Sequence, residues 1–379
     1  MKILLFDMDG VLIEPRAYHM ALRETVTMVG HALGYRDVSL TQEDIEVFES
    51  VGVTSEWDSA AICSALLLRR VWKVFSEISL PPTPPLPELS QHDIPTPDFQ
   101  SFFRSQAMED TTGIPALLRA EHALLADSQT LTETQVIALR YLLRGARRID
   151  RSLTHHIFQE LVLGSHVFHT IYSLEPFQVT KSYLLTYDRP ALSQETCDQL
   201  LVWSAQPDHA SVVFTNRPSQ SPQGLFGTPE AELGMKMLGL EKLPLVGRGC
   251  LAWLTESREV DPDTLLKPSA VHALTALRRA VDNTLEDALH ASTALVLGKE
   301  TDSTWQALNE ATVYVFEDSI KGLRSAQSAQ EALSFAGVTI QLHLVGVSTS
   351  PTKRLALEIA GAQVFSDITS ALHPLFQSN

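Results

Sequence analysis

The stretch LLFDMDGVLI, residues 4–13, closes an apolar run with two acids, Asp7 and Asp9, one residue apart, and then Gly10. With Lys2 and Ile3 in front, the run KILLFDM is β-prone and largely apolar, as a strand buried on both faces of a parallel sheet must be. In an open parallel sheet the ligand crevice lies outside the carboxyl ends of the strands, so acids at that end face it, and Asp7 and Asp9, two apart on an extended strand, are expected to start on the same side and both reach it. A strand ending in an acidic turn reads equally well as plain structure. The choice depends on whether partners for Asp7 and Asp9 recur further along the chain.

From residue 208 onward strands and helices alternate. SVVFTN (211–216) reads as a buried strand, PEAELGMKMLGL as a helix, LPLVGR as a strand and KPSAVHALTALRRAV as a helix. TVYVFED (312–318), KGLRSAQSAQEALSFAG and IQLHLVGVS continue the alternation as strand, helix and strand. Such units predict an α/β fold, a three-layer Rossmann-like parallel sheet with helices on both faces. Three strand ends carry polar residues: Asp7 and Asp9 after the first, Thr215 and Asn216 after the second, Glu317 and Asp318 after the third. The element LLKPS puts Lys267 at a helix start, with Pro268 in the first turn and the helix N-terminus adding partial positive charge. Residues 282–310 have no place in the alternation and read as a helical insertion on this core.

Between residues 16 and 207 the pattern is mostly helical. AYHMALRETVTMVGHALG, TQEDIEVFES with a Thr41–Asp44 capping box, and AAICSALLLRRVWKVF come first. IPALLRAEHALLA, TETQVIALRYLLRGA and LTHHIFQELVLGSHVFHTIY follow a proline-rich loop at 81–99 that no regular helix accommodates. The expected organisation is therefore a core of 1–15 and 208–379 split by a helical domain at 16–207. Adjacent His155 and His156 invite a metal assignment, but they point in different directions on a helix and have no third ligand at useful spacing, which argues against it. Trp57 could cover a substrate but reads rather as packing on a neighbouring helix, and Arg69 and Arg70, or Arg144, Arg147 and Arg148, could hold a second substrate anion but read rather as solvated surface.

Composition narrows the partners. A formal net charge of −16, from 29 Lys+Arg against 45 Asp+Glu, opposes binding to nucleic acid. No apolar run approaches the ~20 residues that span a bilayer, and MKILLF is too short for a signal-peptide core before Asp7 interrupts it. Cys63, Cys197 and Cys250 are odd in number and far apart, which fits neither a disulfide framework nor a paired metal motif. A cytoplasmic protein without membrane attachment is expected; oligomeric state is not legible.

Converging strand ends would gather acids for a hard cation and donors for a phosphate. A carboxylate approaching a phosphate dianion meets a repulsion of roughly 4 kcal/mol per unit charge pair at ~4 Å with an effective dielectric near 20. Mg²⁺ held by Asp7 and Asp318, with Glu317 beside them, would offset it, together with the Lys267 ammonium and donors from Thr215 and backbone amides.

This ordered set resembles the haloacid dehalogenase-like superfamily: DMDGV, VVFTN, KPSAVHAL and VFEDSIKGLRSA stand in the order of its four motifs. The last is similar to the phosphoglycolate phosphatase-like and β-phosphoglucomutase-like branch, with Glu317, Asp318, Ser319 and Gly322 at its positions. The resemblance covers about 1–15 and 208–370, and it makes the insertion an enlarged helical cap whose VGVTSEWDSA (51–60) is similar to a substrate-contacting loop. It implies Asp7 as the nucleophile forming an aspartyl-phosphate, Asp9 as general acid/base with its backbone carbonyl on the metal, and Thr215 and Lys267 as catalytic residues. Gly10 and Asn216 become substrate-binding positions; Asp7, Asp9, Glu317 and Asp318 become the Mg²⁺ site. An acid two residues after the nucleophile suits protonation of a leaving alkoxide, so phosphoryl transfer is favoured over dehalogenation. The expected activity is Mg²⁺-dependent hydrolysis of a small phosphorylated metabolite. A phosphomutase on the same core stays open, although Glu56 and Trp57 follow Ser55 where the mutase pattern has a basic residue, and so does a non-catalytic binding protein that keeps the fold.

Overall fold

The computed structural model describes residues 1–107, 114–126, 130–255, 261–281, 284–299 and 303–377. The chain divides into two compact units, Met1–Pro15 with Asp188–Asn379, and Arg16–Tyr187. No helix among the described residues is long and apolar enough to cross a membrane.

The first unit contains β1 (Lys2–Phe6), the short β2 (Ile13–Glu14) and β3 (Arg189–Pro190), which pair antiparallel with each other, then β4 (His209–Phe214), β5 (Leu245–Val246), β6 (Ala311–Glu317), β7 (Ile340–Val347) and β8 (Gln363–Phe365). The main sheet runs β5-β4-β1-β6-β7-β8, all parallel, with β1 between β4 and β6. Successive side chains of a strand point to opposite faces, and here both faces are covered. Ile3 and Leu5 join Val212, Phe214, Val313 and Val315 in one buried cluster; Leu4 and Phe6 join Val213, Phe316 and Val345 in the other. Helices Arg248–Thr255, Ala270–Arg279 and Ile320–Phe335 supply the first cluster, and Gln194–Ser204, Glu230–Leu238 and Ile368–Gln377 the second. This is the three-layer α/β architecture expected from double-sided burial of KILLF.

Several expectations change in detail. The strand read in LPLVGR is only Leu245–Val246. Residues 282, 283 and 300–302 of the unplaced segment lie outside the described residues. The remainder forms helix Leu285–Val296 and a 3-10 turn at Ser303–Leu308, and Leu289, Leu295, Trp305 and Leu308 sit in the first core cluster. That part of the segment is thus one of the core's own helical layers rather than an appendage. Helix Gln194–Ser204, which the sequence reading assigns to the insertion, belongs to the sheet unit: Cys197, Leu200 and Trp203 pack under the sheet.

The second unit is helical among the described residues, apart from one isolated bridge between Tyr35 and His92. The Thr41–Asp44 capping box forms as read. LTHHIFQELVLGSHVFHTIY is two helices, Leu153–Leu163 and Ser165–Tyr172, broken at Gly164, whose φ of 79° is readily open only to glycine. Leu153–Leu163 is buried along its whole length; Glu160 accepts from the backbone N–H groups of Phe177 and Gln178 and so ties down the following loop. The two histidines part as adjacent helical positions should: His155 lies 4.7 Å from the Trp57 ring, His156 4.7 Å from Phe168.

Burial, aided by the neighbouring His156, lowers His155 to about 4. The unfolded chain binds this proton near pH 6.5 and the folded chain does not, so stability falls as pH drops from about 6.5 to 4. The loss should approach ~3 kcal/mol at 1.36 kcal/mol per unit. His155→Phe, which keeps a ring against Trp57, should flatten that limb of a urea-denaturation series run from pH 7 to 4; an unchanged slope would remove His155 as its source.

Candidate active site

β1 ends at Phe6, and the backbone then turns. The Met8 carbonyl accepts from the N–H groups of Leu12 and Ile13, and the Gly10 N–H donates to Ile13. Gly10 sits at φ 79°, and a Cβ there would lie 2.5 Å from an Asp318 oxygen, so the position needs glycine for both conformation and space. Asp7 continues the ladder through its N–H to the Phe316 carbonyl, 2.9 Å. Asp9 does not: it lies in the turn, so the turn and not the strand pleat aims its side chain, a correction to the idea that a two-residue spacing on an extended strand does so.

The carboxyl ends of β1, β4 and β6 converge on a cavity of about 190 Å³ lined by Asp7, Asp9, Gly10, Pro15, Thr215, Asn216, Lys267, Asp318, Ser319 and Lys321. Every site residue read from the sequence lines it except Glu317, which is fully buried beneath. Lys267 ties the floor together. Its Nζ donates to Asp7 Oδ1 at 2.8 Å and Glu317 Oε1 at 2.5 Å, and lies 3.8 Å from the centre of the Phe214 ring. Ser269 is the helix N-cap and the helix begins at Ala270, so Lys267 and Pro268 precede the first turn rather than occupy it. The Lys267 N–H is accepted by Asn216 Oδ1 at 3.2 Å, which couples the second and third motifs.

Two carboxyl groups share one ammonium here, so ionising both would leave a net negative charge in a buried place. Burial, offset by Lys267 and reinforced by Asp318 and Asp9, raises Asp7 to about 6. Burial and the neighbouring Asp7 raise Glu317 to about 8. Burial works against the charge on Lys267, yet Asp7 and Glu317 outweigh it and hold the ammonium above the ordinary lysine range. Glu317 Oε2 also accepts from Ser319 Oγ at 3.1 Å, and the missing Cβ of Gly322 leaves room for its carboxyl.

Asp7, Glu317 and Asp318 can each bring an oxygen within 4.8 Å of the others'. Asp9 is not in that group. Its side chain turns to Arg217, a residue the sequence reading passed over inside FTNRP: Arg217 Nε lies 3.1 and 3.2 Å from the two Asp9 oxygens, and its terminal nitrogen bonds both Asp9 and Asp188. Thr215 Oγ1 accepts from the Arg217 N–H at 3.1 Å, which leaves its own hydroxyl proton to donate into the cavity. Asp318 Oδ2 accepts from Lys353 Nζ at 2.7 Å, another partner that no motif announces. The helix Ile320–Phe335 starts at this edge with Ser319 as its cap, so its N-terminal dipole favours an anion there.

In the helical unit, three of the arginines weighed for a second anion, Arg144, Arg147 and Arg148, are committed to acids. Arg147 forks onto Asp58, Arg144 onto the buried Glu121, and Arg148 onto Asp150. Ser55 caps helix Glu56–Val71, and a separate cavity of about 450 Å³ opens beside Thr54, Ser55 and Asp58.

No protein-family model and no curated protein matches the sequence. The chain is similar to a crystal structure solved by the Northeast Structural Genomics Consortium, at 15% identity and a TM-score of 0.64 over 99% of this chain and 98% of that one. A phosphatase, Tt82, from Thermococcus thioreducens aligns over 94% of this chain and 99% of its own at 15% identity and a TM-score of 0.40. The first likeness supports the fold.

Proposed function

We propose that this chain is a Mg²⁺-dependent phosphatase of the haloacid dehalogenase kind, hydrolysing a small phosphorylated metabolite through an aspartyl-phosphate. One observation carries the reading: an ammonium, Lys267 Nζ, bridges Asp7 and Glu317 at the floor of a cavity whose rim adds Asp318 and the Thr215 hydroxyl. A binding protein that merely kept the fold has no need to bury two carboxylates on one ammonium, because removing charge from water costs several kcal/mol per ion. At about 190 Å³ the cavity is smaller than the ~300–1,000 Å³ of sites for drug-sized ligands. The sheet unit by itself therefore grips little beyond the phosphoryl group.

Asp7 is the nucleophile. Its Oδ1 is held by Lys267, which leaves Oδ2 to attack phosphorus while the bond to the leaving oxygen breaks. Lys267, the Thr215 hydroxyl, the Asn216 amide and the N-terminus of helix Ile320–Phe335 surround the phosphoryl oxygens with donors. Asp9 exchanges protons at the outer side, first with the leaving oxygen and then with the water that cleaves the aspartyl-phosphate. The donor set suits a divalent hard cation, being oxygen throughout. Asp7 and Asp318 would hold Mg²⁺, with the Asp9 carbonyl as the resemblance implies; bound there, the ion offsets the repulsion between carboxylate and phosphate.

Phosphate release from a panel of phosphorylated metabolites, with Mg²⁺ and with EDTA, tests the reading. Mg²⁺ at 100 times its Kd should stabilise the wild type by ~2.7 kcal/mol. Asp318→Asn should lose most of that stabilisation together with activity. Full turnover in EDTA, or equal Mg²⁺ stabilisation of both proteins, would remove the metal from the site.

A further inference from the structure

Arg217 has no role in the chemistry as set out above, yet its placement is costly. Its side chain is 0% exposed, and it reaches neither solvent nor the cavity. Asp188, 1% exposed and 2.9 Å away, already supplies a full counter-charge. The fork onto Asp9, whose side chain is 32% exposed and lines the cavity, is therefore not required to neutralise the guanidinium. A carboxylate that exposed, in a turn, is free to rotate about its side-chain bonds. Nε reaches both Asp9 oxygens and a terminal nitrogen also holds Oδ1, three contacts that fix the plane of the group as well as its position. The backbone of the same residue holds the Thr215 hydroxyl. One side chain and its own N–H thus set two groups that face a phosphoryl donor.

We propose that Arg217, anchored by Asp188, is a positioning residue that aims Asp9 at the oxygen between phosphorus and the leaving group. The proposal rests on the phosphatase reading. Arg217 acts through Asp9 and does not touch substrate, so its removal should matter in proportion to how much the leaving group needs Asp9. An alkyl phosphate, whose alkoxide must be protonated, depends on it strongly; acetyl phosphate, with a good leaving group, depends on it little.

The experiment measures single-turnover phosphoenzyme formation in the full chain with an alkyl phosphate and with acetyl phosphate. The proteins are wild type, Arg217→Lys, Asp9→Asn and the double variant. A lysine keeps the charge but cannot fork, so Arg217→Lys should slow the alkyl phosphate by about 10²-fold more than acetyl phosphate, the scale of a 1 Å misplacement. Added to Asp9→Asn it should cost nothing further with the alkyl phosphate, because the two changes remove one function. Asp188→Asn should show the same substrate-dependent loss in smaller measure, and it decides the matter if Arg217→Lys does not fold. Equal losses on both substrates, or losses that multiply in the double variant, would make Arg217 a structural residue and overturn the proposal. If the wild type forms no phosphoenzyme with either substrate, the phosphatase reading falls and takes this proposal with it.

Discussion

Asp7→Asn should abolish turnover and leave the fold at least as stable as before. An amide oxygen in that position still accepts from Lys267 Nζ, so the hydrogen bond at 2.8 Å survives in kind. What disappears, on the proposed reading, is the nucleophile. Removing the nucleophile of a hydrolase costs on the order of 10⁶ in kcat, and a loss of that order is expected here. Stability should move the other way, because the negative charge of Asp7 is one reason Glu317 is pushed up to about 8. With that charge gone, Glu317 has Lys267 to itself. Phosphate release and a urea midpoint measured on one preparation check both halves. A residual rate within tenfold of wild type, in a protein of unchanged stability, would take the nucleophile role away from Asp7.

Lys267→Met is expected to strike stability as well as activity. Asp7 and Glu317 would then be left together, buried, with no cation between them. Breaking a buried pair by removing one partner costs about 3–5 kcal/mol. The loss should depend on pH in a direction the linkage fixes. Both carboxyl groups would prefer their neutral forms even more than they do now, so the folded chain would bind protons that the unfolded chain has released. Stability then falls as pH rises from the ordinary carboxylate range past pH 8. Urea denaturation at pH 5.5 and pH 8.5 should show the larger loss at pH 8.5; an equal loss at both would mean that the ammonium is not what balances these acids. Turnover should fall too, by some 10²–10³ for a lost electrostatic contact to the developing charge.

The candidate site was partly legible because its chemistry sits at strand ends. Asp7, Thr215 and Glu317–Asp318 each follow an apolar run long enough to mark a buried strand, and parallel strands carry their ligand crevice at one end. The convergence of these ends with Lys267 on one cavity is what such a topology brings about. Arg217 was visible as the residue after TN, but nothing in the sequence joined it to Asp9, 208 residues earlier. Its anchor Asp188 was hidden further, inside a span read as part of the helical insertion. Lys353 likewise meets Asp318 from a helix start, across 35 residues, and carries no motif. The aim of Asp9 was misread for a local reason. The strand stops at Phe6, and Gly10 at φ 79° sets up a turn that the alternation rule for strands does not describe.

By itself the sequence determined the class of the fold and which strand ends carry ionisable groups. Both follow from short-range constraints: a strand covered on both faces is apolar along most of its length, and polar residues gather at its end, where the chain meets water or a ligand. The tertiary structure decided the order β5-β4-β1-β6-β7-β8, the return of the chain to the sheet unit at Asp188, and the pairing of each charge. Lys267 with Asp7 and Glu317, Arg217 with Asp9 and Asp188, and Lys353 with Asp318 are matched only once packing has brought distant segments within hydrogen-bonding reach. Asp7, Lys267, Glu317, Arg217 and Asp188 are all buried, so packing of the whole fold, and not spacing along the chain, chooses these partners, while the exposed Lys353 meets Asp318 from a helix start.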